Sequence, residues 1–169
     1  MERFVQSIEK SIATENWYAA IAMALAIPDI CGWLETPKVG SQKRYEAWFD
    51  KYLLPVYKSP FHGADFTFLS GSDCYALRCA LLHEGTDEVL RQRAREVVTR
   101  FAFSTTGSHR CMFESVLLLN VQAFCSELCA GTRQWIVDVA PNPTVQERLK
   151  ELLQVRTEGF MVIPGVFVQ

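Results

Sequence analysis

Residues 15–34 read Glu15-Asn16-Trp17-Tyr18-Ala19-Ala20-Ile21-Ala22-Met23-Ala24-Leu25-Ala26-Ile27-Pro28-Asp29-Ile30-Cys31-Gly32-Trp33-Leu34. An apolar stretch this long with no β-branched alternation predicts a helix, and Ala19, Ala20, Ala22, Ala24 and Ala26 let neighbouring helices approach closely. It is therefore expected to be the central helix of a bundle. Pro28 lacks a backbone donor and is expected to kink or end it. Its apolar run, residues 17–27, falls short of the roughly 20 residues that span a bilayer, and the expectation is a buried helix with no membrane partner.

On the N-terminal side, Phe4, Val5, Ile8 and Ile12 recur at helical spacing, and Thr14-Glu15-Asn16 supplies capping residues between the two helices. On the C-terminal side, residues 36–41 form a loop. Tyr45, Trp48, Phe49, Tyr52 and Leu53 then mark a third amphipathic helix that Pro55 ends. Ser70-Gly71-Ser72-Asp73 offers caps to a fourth helix running to about Glu84, where Gly85 provides a left-handed stop. The period then changes: residues 97–103 read as a strand, 105–108 as a turn and 111–119 as its partner, a β-hairpin. Helical spacing returns over 121–139, weakened at Gly131. Residues 141–144 cap a last short helix, 145–153, before an apolar tail at 160–169 that must pack somewhere. The expected fold is mainly α: an up-and-down bundle of four to six helices in one domain, 1–169, with a β-hairpin insertion at about 97–120.

With 169 residues, 49% of them apolar, the chain can bury a proper core. Its net charge of −2 excludes a protein that holds nucleic acid through its overall field, so any polyanion site is local. The six cysteines, Cys31, Cys74, Cys79, Cys111, Cys125 and Cys129, show no C-x-x-C pairing and read as free, buried thiols. With an N-terminus that reads as an amphipathic helix rather than a leader, they point to a reducing cytoplasm.

Chemistry concentrates on the fourth helix. On an ideal α-helix Arg78 and His83 point about 140° apart, with Ser72, Tyr75, Cys79 and Leu82 in the arc between them and Cys74, Leu77 and Leu81 toward the core. Arg offers a planar fork to phosphoryl charge and His moves protons near neutral pH, so the pair suits a phosphodiester without a metal or other cofactor. The string Arg78-Cys79-Ala80-Leu81-Leu82-His83-Glu84-Gly85 resembles the signature of the HEPN superfamily, Arg and His four to six residues apart, commonly followed by Gly. The resemblance implies a metal-independent endoribonuclease attacking through the RNA 2′-hydroxyl, with Arg78 and His83 catalytic. It also implies a homodimer meeting through the motif helix, often with a toxin–antitoxin or defence role and a protein partner.

Cys79 stands where many active members carry a polar residue, often Asn. With the acidic balance, it favours the alternative of a catalytically inactive HEPN-like interaction or regulatory module. Glu84 either orients His83 or is solvated, the second being favoured. Arg91, Arg93, Arg95 and Arg100 form the dense basic cluster that would contact an RNA backbone, but Asp87, Glu88 and Glu96 interleave with it, favouring a solvated helix face. Asp29 either caps the next turn, the favoured role, or points into the same cleft. His62 and His109 lack ligand spacing, so no metal site is expected. A Cys79–His83 hydrolase and a small-ligand pocket in the aromatic loop 58–70 rank below these readings.

Overall fold

The computed structural model describes residues 1–169 except 60–62, 64, 65, 157, 165 and 169. The fold is mainly α. Among the described residues, helices α1 (Glu2–Ala13), α2 (Trp17–Glu35), α3 (Ser41–Tyr52), the single-turn α4 (Leu54–Tyr57), α5 (Gly71–Cys79), α6 (Val121–Val139) and α7 (Pro143–Lys150) are accompanied by five short strands. Helix α2 lies at the centre, packing against α1, α3, α5, α6 and α7. Ala20, Ala24, Leu25 and Ile27 are fully buried, as the alanine-rich stretch requires. Pro28 sits inside this helix and does not end it. The continuous helix has 19 residues, enough by length and composition alone to cross a membrane, but half of it is buried inside the fold.

Caps set the helix ends where the sequence offers them. Ser70 accepts from the Asp73 amide at the start of α5, and Asn142 from the amides of Thr144 and Val145 at the start of α7, where Pro143 occupies the first turn. Asn16 makes no side-chain cap to α2. The Thr14 hydroxyl instead turns back to the Lys10 carbonyl, and the chain turns through Glu15 at φ 56°.

The simple hairpin expected at 97–120 is corrected. Strands β1 (Arg100–Ser104), β2 (Cys111–Phe113) and β3 (Val116–Asn120) form a sheet in the order β1-β3-β2. Strand β3 pairs parallel with β1 and antiparallel with β2. The expected return strand is broken by a turn at Glu114-Ser115, with Glu114 at φ 54°, so its second half continues beside β1 in the opposite sense to a hairpin. The sheet is no appendage, since Phe101, Leu117 and Leu119 are fully buried in the same core as α2 and α6.

The tail differs too. Phe160–Ile163 (β4) and Val166–Val168 (β5) pair as an antiparallel hairpin, with Met161, Val162, Ile163, Val166, Phe167 and Val168 exposed rather than packed on the core. All six cysteines are free thiols. Four are buried, and Cys79 and Cys111 are half-buried.

Candidate functional site

Helix α5 ends in a π-turn, Ala80–Glu84, closed by Gly85 in the left-handed conformation at φ 69°. Gly85 and Thr86 amides return to the Leu81 and Ala80 carbonyls, satisfying the helix end. The π-turn carries more residues per turn than an α-helix. It thereby brings Arg78 and His83 together, with Nη1 3.4 Å from Nε2. A guanidinium has no acceptor, so in this contact Arg78 Nη1 is the donor and His83 Nε2 the acceptor. The imidazole is exposed.

Arg78 is fixed from the other side by Asp29, reached at 3.3 Å by Nη2. Asp29 does not cap a turn. Its carboxylate accepts from Arg44 Nε at 2.7 Å and from the Ser41 hydroxyl at 3.1 Å to each oxygen. Side-chain exposures of 15% for Asp29, 16% for Arg44 and 19% for Arg78 make this a largely desolvated cluster. One carboxylate serves two guanidiniums, so the cluster itself carries an uncompensated positive charge beside His83. Tyr75 lies under Arg78, its ring centroid 5.8 Å from the guanidinium carbon, and is held edge-on against Tyr45. Cys79 Sγ is 3.9 Å from Arg78 Nη1.

Other expected members lie elsewhere. Ser72, on the first turn of α5, donates to Glu46 Oε1 at 2.9 Å. It lines a separate acidic cleft of about 660 Å³ with Glu46, Asp50 and Glu96. Burial, reinforced by Glu46 and Glu96, holds the Asp50 carboxyl above its ordinary range. Glu84 accepts from Gln92 Nε2 at 2.8 Å, tying the following loop to the helix end. Arg91 and Arg93 are exposed and Arg95 donates to the Leu90 carbonyl, but residues 90–99 are turns and bends, not the helix face expected. Asp73 anchors this loop by accepting the amides of Glu96 and Val97. Arg100 pairs with Asp87.

His62 and part of the 58–70 loop lie outside the described residues. Among the described residues, no group of three or more His, Cys, Asp or Glu side chains could hold a metal ion. His109 instead joins a structural network. Its Nδ1 accepts the Asn120 amide, and its Nε2 faces Glu127 at 3.1 Å, as does the Tyr57 hydroxyl at 2.5 Å. Sequence reading missed Ser41 and Arg44. Their only signal is the three-residue spacing that puts both on one face of α3. Compared with protein-family models, curated proteins and solved structures, the chain matches none.

Proposed function

We propose that the chain is a metal-independent endoribonuclease of HEPN type, an up-and-down bundle whose motif helix carries the active site. The observation behind this reading is the Arg78–His83 contact at an exposed helix end, backed by the net-positive Arg44–Asp29–Arg78 cluster. The RNA 2′-hydroxyl loses its proton and attacks the adjacent phosphorus. The new O2′–P bond forms as the P–O5′ bond breaks, and the 5′-oxygen leaves with a proton, giving a 2′,3′-cyclic phosphate. His83 acts as the base or the acid, and Arg78 steadies the charge on the crowded phosphate. A homodimer through the motif helix, RNA and a protein antitoxin as partners, and a reducing cytoplasm belong to the same reading. Leu82, 40% exposed beside His83, supplies an apolar contact for the second copy.

A second reading, a catalytically silent interaction module, is favoured by one observation. Asp29 already occupies Arg78, whose side chain is 19% exposed. Incubating pure protein with mixed RNA in chelator, beside Arg78→Ala, separates the two. Chelator-resistant cleavage that the variant loses supports the nuclease, and equal traces of cleavage in both preparations refute it.

A further inference from the structure

We propose that Trp33 and Arg44 extend the Arg78–His83 site into a seat for one unpaired nucleotide, with Trp33 stacking on the base and Arg44 holding the adjoining phosphate. The proposal rests on the ribonuclease reading and narrows its substrate to single-stranded RNA.

Trp48 and Trp135 are buried and Trp17 packs against the core, whereas Trp33 is 39% exposed and belongs to no core cluster. It stands four residues after Asp29 on α2, on the same helix face and one turn away. Helical side chains in general lean toward the N-terminus, which for residue 33 is the turn that carries Asp29. Gly32 brings Arg44 to this turn, because a β-carbon there would lie 2.8 Å from the Arg44 carbonyl oxygen. Arg44 Nε is bound to Asp29 and Nη1 to the Val39 carbonyl. Nη2 makes no hydrogen bond among the described residues. Arg44 is thus bound to the carboxylate that also holds Arg78, and the exposed Trp33 follows that carboxylate by one turn of α2.

Cationic groups that track a backbone, with an aromatic face for a base, are what single strands require. A paired base is covered on both faces by its neighbours and cannot offer one to Trp33.

The test uses the full chain with His83→Ala to prevent cleavage, in chelator, titrated against a labelled single-stranded RNA of mixed sequence, the DNA strand of the same sequence and an RNA duplex. Adding Trp33→Ala is expected to weaken binding of the single strands roughly 5- to 150-fold. Trp33→Phe retains most of the affinity, and duplex binding is indifferent to both changes. Quenching of tryptophan fluorescence by the DNA strand, measured on wild-type protein, disappears in Trp33→Phe. Unchanged single-strand affinity in Trp33→Ala overturns the proposal and leaves the ribonuclease reading standing. So does a variant that merely changes sedimentation from dimer to monomer, which would assign Trp33 to a contact between copies. Failure of the wild-type and His83→Ala proteins to bind any of the three nucleic acids overturns the ribonuclease reading as well.

Discussion

Arg78 Nη1 and His83 Nε2 lie 3.4 Å apart across a π-turn, although a regular α-helix would point the two side chains to different shoulders. The extra residue in the turn rotates His83 back toward Arg78. Asp29 then holds Arg78 from beneath, so the imidazole and the guanidinium meet at a fixed place on the surface.

Asp29→Asn removes the one carboxylate that Arg44 and Arg78 share. Two largely buried guanidiniums are left facing each other, an uncompensated arrangement that costs about 3 kcal/mol. Thermal unfolding is expected to shift down by roughly 6–12 °C for a chain of this size. An unchanged transition would show the pairing to be energetically idle.

Gly85→Ala isolates the backbone cost of the left-handed stop, because a β-carbon at this position meets nothing within 4 Å. At φ 69° the substitution destabilises by about 1 kcal/mol in denaturant titration. A neutral result would mean that the π-turn tolerates another closing geometry.

Gly131→Ala acts by overpacking. Its β-carbon would lie 2.5 Å from Leu53 Cδ2 and 3.3 Å from Trp48 Cη2, both side chains being buried. A loss of about 1–3 kcal/mol is expected, against the gain that Ala brings to an open helix. Increased stability would contradict the close crossing of α3 and α6.

Burial raises the thiols of Cys74 and Cys125 from an ordinary value near 9 to about 12 and that of Cys129 to about 11, and it raises Cys31 well above its ordinary value. In the unfolded chain these groups lose their protons first, so the native state binds more protons above pH 9. Their contribution to stability is complete below that pH and is lost as pH rises from about 9 to 12. Native alkylation at pH 8 is expected to label the half-buried Cys79 and Cys111 before the other four. Equal labelling of all six in the folded protein would contradict the burial.

Much of the helical core was legible because its signals are local. The alanines of α2, the aromatic stripe of α3 and the caps at Ser70 and Asn142 follow from residues a turn apart. The parallel pairing of β1 with β3 was not legible, because it joins segments whose own pattern allows either direction. Gly131 read as a weakness, since its helix contact lies on another element. At the site, Arg78, His83 and the Gly85 stop came from spacing. The Asp29 bridge and Arg44 did not, because each depends on a helix approaching from elsewhere in the chain, and the π-turn did not, because the apolar spacing of residues 80–84 is that of an ordinary α-helix.

Single-turnover cleavage of a single-stranded RNA in chelator, with the product ends identified, tests the central claim most directly. Wild-type protein is predicted to leave 2′,3′-cyclic phosphate ends, and His83→Ala, folded as judged by circular dichroism, to cut at least about 100-fold more slowly. Cleavage at an undiminished rate by His83→Ala, or no cleavage by the wild-type protein, would contradict it.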